Sequence, residues 1–564
     1  MMHHPPIKVL YKPNCCTIMK TFKSIFPKNL SVLILTLVFA ANCTNAQIPN
    51  DSIVADFNEF VRLLEETHPD PYTNYGGRPF FRKAAMETRF GLAQDSVTSA
   101  DELATRIREF LAPLQDGHTG VKSQQVADHK FLAPIMFQVI NDGIIISRVP
   151  DEYKDYIGSR LLAIENVPIR EVCDGLAKHY SAENQIGRMQ LVCFRGMQPT
   201  TLRKVIPSVG DEYITYQVET AKGKREDLKI KLMPVEQATE WNAANRKTLT
   251  KVSLPDKDLT YDFVGKGKNT MYLKLQSIMA RDCFEYMQSN GWDYQEQLQR
   301  IYNFWGKEMP ADANEAIAQM PSFSEEFEKM LLLMKQNGSK NLIIDLRGND
   351  GGFTPITLPT LYQMWGDKYI EELSDFETEN YTMISPLLLK KYNVSLEDIS
   401  MGSPISIQYG DYQYSNKQYK VPEITEKYRN MVISQMMSSV KDKLMAQNGQ
   451  PVYTPEHVYV LTDPGTFSAA FHYAFFLSKM GATIVGVTCS QAPNTYMEMT
   501  PFELPRTGLK GSISNSLQLF LPVNDPRAKD FTPDLMPTYE DYKRYNFDDN
   551  TIPLYLLDYI AGKH

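Results

Sequence analysis

The chain has 564 residues, of which 43% are hydrophobic and 11% aromatic. This length predicts about three or four domains, and the composition supports sizeable apolar cores and excludes an intrinsically disordered chain. The formal net charge of −8 opposes binding to nucleic acid or to an anionic lipid surface.

Residues 1–46 are predicted to be a signal peptide. Three lysines precede the apolar run of residues 30–41, and the small residues 44–46 are typical of a cleavage site. The run is too short to cross a membrane. Because the segment holds five Lys and no acidic residue, its removal would change the net charge from −8 to −13. We therefore expect an exported, periplasmic protein. A lipid anchor at Cys43 is the alternative, although Asn42 before it is a poor match to lipidation signals.

The next part of the chain is predicted to be helical. Residues 51–67 and 84–114 carry apolar residues at helical spacing, which gives an N-terminal helical domain over residues 47–125. This domain ends in a tight polar turn that contains Asp116 and His118. A lone His in such a turn is more often structural than catalytic, so the turn by itself assigns no role.

A β-rich domain is predicted over residues 126–236. Short segments with alternating apolar residues support it, at 135–140, 143–148, 214–219 and 228–232.

One stretch of this domain, residues 157–169, resembles the part of a PDZ domain in which a glycine-initiated strand leads into an Asn-Gly turn. Glu165, Asn166 and Val167 stand here in place of the usual turn residues. PDZ domains bind a chain end by adding it to their sheet as a strand. A β-rich spacer that binds nothing explains the same pattern equally well.

From Asn269 onward, strand patterns alternate with helix patterns, as a layered α/β domain requires. We therefore predict an α/β domain over residues 237–545, followed by a C-terminal tail over 546–564. A polar insertion rich in Tyr and Met interrupts the domain at residues 366–455, with a helical pattern over 423–446. Insertions of this length usually carry function or disorder, and either a lid beside a site or additional padding fits the pattern.

Residues 341–352 predict a buried strand that ends in a glycine-rich turn. Gly351 and Gly352 in this turn would let the backbone approach a ligand closely and offer it N–H donors. An ordinary turn between a strand and a helix is the other interpretation.

Ser468 lies where a buried strand is predicted to turn into a helix. Residues 458–461 predict the strand, 463–465 the turn and 469–480 the helix. At a helix N-terminus the N–H of Ala469 has no intrahelical partner, so it would face an oxyanion formed on a carbonyl that Ser468 attacks. A plain helix N-cap explains the segment at least as well.

Seven motifs occur together, in this order: His68-Pro-Asp-Pro-Tyr72, Asp116-Gly-His-Thr119, Met271-Tyr-Leu-Lys-Leu275, Asp345-Leu-Arg-Gly-Asn-Asp-Gly-Gly352, Thr466-Phe-Ser-Ala-Ala470, Thr483-Ile-Val-Gly-Val-Thr488 and Phe531-Thr-Pro-Asp534. With them the chain resembles the tail-specific or C-terminal processing serine peptidases, in particular the tricorn-like branch and periplasmic relatives that begin with a helical domain. The resemblance covers about residues 55–545. It implies a multidomain α/β fold with an N-terminal helical domain, a β-rich PDZ-like domain and a crotonase-like α/β catalytic core.

The chain departs from the family pattern at two points. The processing branch pairs its Ser with a Lys from the stretch after the following helix, but residues 486–496 contain no Lys here. The tricorn-like branch instead takes its base from an upstream His, which His118 matches. Relatives commonly carry an acid three residues after the Ser, where this chain has Phe471, followed by His472.

The resemblance implies hydrolysis of peptide bonds by acyl transfer. Ser468 would be the nucleophile and His118 the general base. The N–H of Ala469 and that of Gly351 or Gly352 would form the oxyanion hole.

A carboxylate is expected to orient the His. Asp525 and Asp530 lie in the segment where the tricorn-like branch carries an acid, and Asp116 is a local alternative. Asp345 and Arg347 are expected to hold their turn together as an ion pair and to take no part in the chemistry.

The expected partner is a polypeptide, captured by its C-terminus if the PDZ-like domain binds peptides. No zinc-protease, phosphate-loop or dinucleotide motif occurs, so no metal, cofactor or nucleic acid is expected. The spacing of the cysteines does not reveal their redox state. The sequence leaves open whether the enzyme is an endopeptidase or a carboxy-terminal processing peptidase. An esterase or amidase for small acyl substrates, or an inactive peptide-binding protein of the same fold, are the alternatives.

Overall fold

The computed structural model describes residues 47–122, 130–244, 253–255, 257–372, 379–401, 403, 405–416, 423–437 and 440–563. The predicted signal peptide, with Cys43, lies outside these residues. The cysteines of the described part of the chain are free thiols: Cys173, Cys193, Cys283 and Cys489.

The N-terminal unit contains α1 (Asn50–Thr67), α2 (Arg78–Gln94), α3 (Ala100–Leu111) and the short strand β1 (Gly120–Val121). The prediction of one helix over residues 84–114 is wrong, because the chain turns between α2 and α3. Ser96 has a left-handed φ of 51° in this turn. Ser99 then begins α3, since its side chain accepts the N–H of Glu102.

The middle unit combines a sheet with short helices. Its elements are β2 (Phe131–Leu132), β3 (Met136–Ile140), β4 (Gly143–Arg148), β5 (Arg160–Ile164), β6 (Val167–Pro168), α4 (Ile169–Leu176), α5 (Gln185–Arg195), α6 (Pro199–Leu202), β7 (Tyr213–Glu219), β8 (Arg225–Lys231), β9 (Met233–Pro234) and α7 (Val235–Ala244). The main sheet has the antiparallel order β3, β4, β5, β7, β8. Glu165 and Asn166 both have positive φ, 47° and 64°, so they form the tight β5–β6 turn without a glycine.

The C-terminal unit alternates strands and helices, as predicted. Its first half contains β10 (Thr260–Phe263), β11 (Thr270–Lys274), α8 (Arg281–Ser289), α9 (Gln295–Phe304), α10 (Ala313–Ala318), α11 (Phe323–Asn337), β12 (Asn341–Asp345), α12 (Leu358–Trp365), α13 (Asp367–Glu372), β13 (Glu379–Met383), α14 (Pro386–Tyr392), α15 (Leu396–Ser400) and β14 (Tyr412–Asn416). Its second half contains α16 (Glu426–Gln435), α17 (Lys441–Ala446), β15 (His457–Thr462), α18 (Ala469–Lys479), β16 (Thr483–Gly486), β17 (Asn494–Glu503), β18 (Lys510–Leu519), α19 (Tyr539–Arg544) and α20 (Thr551–Ile560).

The central sheet of this unit has the order β10, β11, β12, β15, β16. All neighbours are parallel except β10 and β11. Leu342 and Ile344 of β12 enter one core, whereas Ile343 enters another on the opposite face. Because β12 and β15 are adjacent and parallel, the turns that follow them meet at the same edge of the sheet. These turns are the glycine-rich turn and the turn that carries Ser468.

A second sheet connects the N-terminal unit to the C-terminal unit. In it β18 pairs with β1, β13 and β17. Ser512 Oγ donates to the carbonyl of His118 at 3.1 Å, and the N–H of Ser514 donates to Thr119 Oγ1 at 2.9 Å. The turn that carries His118 is therefore fixed to the C-terminal unit by strand pairing.

The insertion over residues 366–455 contributes to this second sheet. Its β13–β14 hairpin, which the sequence analysis missed, extends the sheet through β13 and β18. Helices α16 and α17 lie in the predicted helical stretch. Lys391 of α14 pairs with Glu498 of β17 at 3.4 Å, so the insertion contacts the strand that passes His118.

The predicted C-terminal tail is packed in the part of it that the structure describes. Ile552 and Leu556 of α20 are buried in an apolar cluster of the middle unit. Arg347 donates to the Asp549 carbonyl at 3.1 Å and to Asn550 Oδ1 at 3.0 Å. These contacts attach the end of the chain to the glycine-rich turn.

Apolar cores cross the predicted domain boundaries. The N-terminal helices share a cluster with Phe502 and Ile513 of β17 and β18. The middle unit shares one with Tyr272, Ile343 and Leu461 of the central sheet. The fold is thus a multidomain α/β arrangement with units packed through common cores. No helix in the described ranges is both long enough and apolar enough to traverse a bilayer.

Candidate active site

Ser468 begins α18 in a backbone conformation that is rare for a residue with a side chain. Its φ is 53° and its ψ is −126°, and non-glycine residues in this region are usually held there by their surroundings. Its N–H donates to Gln491 Oε1, and the N–H of Phe467 donates to the Asn349 carbonyl at 3.0 Å. The turn is therefore fixed from two sides.

The Ser468 side chain does not cap α18. The serines that begin other helices do accept such bonds, as Ser322 and Ser385 show, and so does Thr538. Within the described part of the chain the Ser468 Oγ has no hydrogen bond, and the residue is partly exposed. Its hydroxyl is free to react, which counts against the N-cap interpretation.

The glycine-rich turn lies directly against Ser468. A Cβ on Gly351 would lie 2.6 Å from Ser468 Cβ and 2.8 Å from the Ala469 nitrogen. A Cβ on Gly352 would lie 2.2 Å from the Ile278 carbonyl oxygen. Their φ values of 107° and 143° also favour glycine. Glycines are thus required here for close approach of two backbones.

Two backbone N–H groups of the predicted oxyanion hole are free and one is not. The N–H of Gly351 donates to Asn349 Oδ1 at 2.9 Å. In the bridge to Ile278, the Gly351 carbonyl accepts the Ile278 N–H and the Phe353 N–H donates to the Ile278 carbonyl. The N–H of Gly352 takes no part in this bridge. Among the described residues the N–H groups of Gly352 and Ala469 have no acceptor. The geometry therefore favours these two over Gly351.

His118 lies against the residue that precedes Ser468. Its ring stacks on Phe467 with 4.9 Å between ring centroids. It is 5% exposed. Its ring nitrogens make no hydrogen bond of good geometry among the described residues, although the Tyr496 backbone lies close enough to raise its pKa. Burial lowers the pKa of His118 below its ordinary value, while the negative charges of Asp116 and Glu498 partly oppose this shift. The imidazole is therefore neutral near pH 7, as a general base must be.

Asp116 holds the backbone of the His118 turn. Its Oδ1 accepts the N–H of His118 at 2.7 Å, and its Oδ2 lies 3.4 Å from His68 Nε2. The N–H of Asp70 donates to His68 Nδ1 at 3.1 Å, so Nε2 carries the proton that faces Asp116. Burial raises the pKa of Asp116, but His68, together with His118 and Thr119, opposes this and keeps the pKa below its ordinary value. The His68–Tyr72 motif thus supports the His118 turn.

Asp525 and Asp530, the other predicted orienting acids, are not found in contact with His118. Asp525 begins a short 3₁₀ helix and binds Arg527 at 2.7 Å. Burial raises the pKa of Asp530, and Lys529 is the charged neighbour that opposes this. The carboxylates that influence the charge of His118 are those of Asp116 and Glu498. The identity of the orienting group stays a prediction.

Glu183, which the sequence analysis missed, lies between α4 and α5 and is 4% exposed. It accepts hydrogen bonds from the N–H of Gly117 at 3.1 Å, the N–H of Ala492 at 2.9 Å and the Thr495 hydroxyl at 2.7 Å. Burial raises its pKa to about 8, against the hydrogen bonds that lower it. No local pattern distinguishes this glutamate from others before a helix, because its partners lie 66 to 312 residues away.

Oxygen and nitrogen atoms of Asp116, His118 and Glu183 lie within 4.8 Å of one another. Side chains of these types can ligate a cation. Both Glu183 oxygens already accept hydrogen bonds.

The stretch that carries a Lys in the processing branch has a different role here. Gln491 from this stretch is fully buried and accepts the Ser468 N–H. Ala492 and Thr495 donate to Glu183. Residues 486–496 therefore hold the two sides of the site together and supply no base.

Packing explains the second departure from the family pattern, which is Phe471 at a position where relatives commonly carry an acid. Phe471 is fully buried, and its ring lies 5.4 Å from Phe531 and 6.2 Å from Phe520. An acid at this position would be placed in an apolar cluster. The neighbouring His472 is buried and lies 2.9 Å from Thr354 Oγ1 through Nδ1. Burial lowers its pKa to about 3.

The predicted ion pair between Asp345 and Arg347 is confirmed. Arg347 donates to both carboxylate oxygens of Asp345 at 2.9 Å. Tyr272 and Lys274 also contact Asp345. Burial opposes ionisation of Asp345, but Arg347 and Lys274 hold its pKa well below the ordinary value. The pair fixes the start of the glycine-rich turn.

The C-terminal unit matches a known family over residues 314–518, namely peptidase family S41. The chain carries a peptidase family S41 domain. This supports the resemblance to tail-specific peptidases, and the family implies a hydrolase of the serine peptidase class. The S41 match includes Ser468 and the glycine-rich turn, and it excludes His118 and Glu183, which precede it.

Solved structures align with most of the chain. Mature CPAF aligns with a TM-score of 0.52 and 15% identity, over 90% of this chain and 98% of its own. Mature CPAF complexed with lactacystin gives a TM-score of 0.52 at 16% identity, over 91% and 97%. At these identities the likeness concerns the fold. No curated protein sequence matches the chain.

Proposed function

We propose that the protein cleaves peptide bonds of exported proteins or peptides through an acyl-enzyme on Ser468, with His118 as the general base. The observation that carries this proposal is the uncapped Ser468 hydroxyl in a left-handed turn, beside free N–H groups and a buried His. A structural serine needs none of these features.

In this mechanism Ser468 Oγ attacks the carbonyl carbon of the scissile bond while His118 accepts the hydroxyl proton. The N–H groups of Gly352 and Ala469 stabilise the oxyanion, each worth about 3 kcal/mol of barrier. The imidazolium then gives its proton to the leaving amine. Water attacks the ester that remains, with His118 again accepting a proton, and Ser468 is released.

The middle unit is proposed to capture a polypeptide, in the way that a PDZ domain adds the C-terminus of its ligand to a sheet. The chain is proposed to act after export, in the periplasm or at a membrane if Cys43 is lipidated. Endoproteolysis and carboxy-terminal processing are both compatible with the site.

Hydrolysis of an unfolded protein substrate tests the proposal. Ser468→Ala, His118→Ala and the double variant should all lose activity to about the same low level, because residues that act as one unit do not contribute additively. Ser478→Ala, on the same helix with its hydroxyl bonded to the Phe475 carbonyl, and His457→Ala, at an exposed position, should retain wild-type activity.

The same proteins separate the alternatives. Cleavage of small esters without cleavage of any polypeptide would favour an esterase or amidase. A protein that binds peptides but cleaves neither substrate class would be an inactive binding protein. Ser468→Ala with wild-type hydrolysis would contradict the proposed nucleophile.

A further inference from the structure

The loop before α5 joins the middle unit to the candidate active site. Glu183 in this loop accepts its hydrogen bonds from Gly117 of the His118 turn and from Ala492 and Thr495 of the C-terminal unit. Its three donors therefore come from outside the middle unit. The carboxylate connects parts of the chain that belong to three units.

The next residue strengthens the same connection. Asn184 Nδ2 donates to the carbonyls of Cys489 at 3.0 Å and Lys529 at 3.1 Å. Its Oδ1 accepts the N–H of Gly187 at 2.8 Å and so begins α5. The loop is thus attached both to its own helix and to the C-terminal unit.

Glu183 acts on the residue directly before His118. A Cβ on Gly117 would lie 2.9 Å from Glu183 Oε1 and 2.5 Å from the Phe467 ring. The His118 turn is therefore enclosed between Glu183 on one side and the Ser468 turn on the other.

The same short segment also fixes Ser468. Gln491 accepts the Ser468 N–H, and Ala492, one residue later, donates to Glu183. The relative position of nucleophile and base is thus set through adjacent residues. Small errors in such a position reduce reactivity strongly.

We infer that Glu183 is a positioning residue that fixes the His118 turn relative to Ser468 and so makes the site depend on the packed middle unit. This inference rests on the proposed role of His118. Glu183 does not touch the reacting atoms and is not a catalytic residue.

The test uses the full chain with Glu183→Gln. Labelling is measured at pH 9, above the Glu183 pKa of about 8, where both carboxylate oxygens accept. Glutamine fills the same space but puts an NH2 donor in place of one of these oxygens, so either Gly117 or the Ala492 and Thr495 pair loses its acceptor. The rate of Ser468 labelling by a fluorophosphonate should fall about tenfold to hundredfold. Glu165→Gln is the matched control, because Glu165 accepts the Thr215 N–H within the middle unit and should keep the wild-type rate.

A comparison of single and double variants distinguishes a positioning role of Glu183 from a general loss of structure. In the His118→Ala background, Glu183→Gln should cause no further loss of the residual labelling rate, since it acts through His118. Thr495→Val removes one donor without changing charge and should reduce labelling in the same direction. If circular dichroism shows that Glu183→Gln is unfolded, Thr495→Val is used in its place for the test.

Three results are decisive. Glu183→Gln labelled as fast as Glu165→Gln overturns the inference, and so does an equal further loss in the His118→Ala background. Full labelling of His118→Ala instead contradicts the proposed base, independently of Glu183.

Discussion

At the residue scale, Ser468 is distinguished by its backbone and not by its position at a helix start. The hydroxyl oxygens of other serines at helix starts accept a backbone N–H from the first turn of the helix. Ser468 does not act as such a cap, because its φ is 53° and its side chain makes no capping hydrogen bond. Strain of this kind costs of the order of 1–3 kcal/mol and concentrates at functional sites.

The pH dependence of hydrolysis should report His118. Because burial lowers the pKa of His118 below 6.5, kcat/KM should rise with pH along a limb whose apparent pKa is below about 6.5. Asp116→Asn should move this limb to lower pH, since the Asp116 charge opposes the shift. Asp525→Asn should leave it in place, because Asp525 binds Arg527. A limb above about pH 8 that persists in His118→Ala would indicate another base.

Local patterns predicted part of the site. Ser468, His118, Gly352 and Ala469 stand in short motifs or at a predicted helix start, so single segments pointed to them. Glu183 did not, because its role comes from pairing across 309 residues with Ala492. Phe471 was identified as a departure, but only the aromatic cluster around it explains why an acid does not fit there.

At the scale of elements, the approach of the glycine-rich turn to α18 should tolerate no side chain. Gly351→Ala puts a Cβ 2.6 Å from Ser468 Cβ and should abolish fluorophosphonate labelling. Gly348→Ala is the control, because Gly348 has a positive φ of 69° but open space around it. It should cost about 1–2 kcal/mol of stability and keep the labelling. Normal labelling of Gly351→Ala would contradict the described packing.

Helix α18 should reject the acid that relatives carry. Phe471→Glu buries a carboxylate among Phe520 and Phe531 without a partner and should lower the free energy of unfolding by about 3 kcal/mol or more. Phe471→Leu keeps an apolar side chain and should cost about 1 kcal/mol. Urea unfolding in a Ser468→Ala background measures both. Equal stability of the two variants would mean that the site around residue 471 admits a charge.

Elements were predicted best where one pattern dominates. Strand β4 was predicted at its observed bounds, because a run of three β-branched residues, Ile144 to Ile146, lies at its centre. The α2–α3 break was missed, since apolar spacing continues across the turn at Ser96. The β13–β14 hairpin was missed because its pairing partner β18 lies over 130 residues away.

At the scale of the whole molecule, the units are joined by shared apolar cores and by polar contacts at the site. The His118 turn pairs with β18, and Glu183 connects the middle unit to both sides. We therefore expect the site to be lost when either boundary is disturbed, even if each unit keeps its secondary structure.

The stability of the whole chain should carry a pH signature of Glu183. Its pKa is about 8 in the folded state because of burial, above the ordinary value of 4.5. The folded state then binds more protons than the unfolded state between these values, so this group's contribution to stability falls as pH rises from about 4.5 to about 8. Thermal unfolding across this range should compare Ser468→Ala with Ser468→Ala/Glu183→Gln, because the lowered pKa values of His118 and His472 act in the opposite direction and only the difference isolates Glu183. Removing the titratable group with Glu183→Gln should make stability fall less steeply with pH, and an unchanged slope would contradict the raised pKa of Glu183.

Mapping the site of fluorophosphonate attachment tests the central claim most directly. Intact mass followed by peptide mapping should show one adduct, on Ser468 in the peptide that joins β15 to α18. The adduct should be absent in Ser468→Ala and strongly reduced in His118→Ala, with both variants folded by circular dichroism. An adduct on a different residue, or full hydrolysis of a polypeptide by Ser468→Ala, would contradict the account.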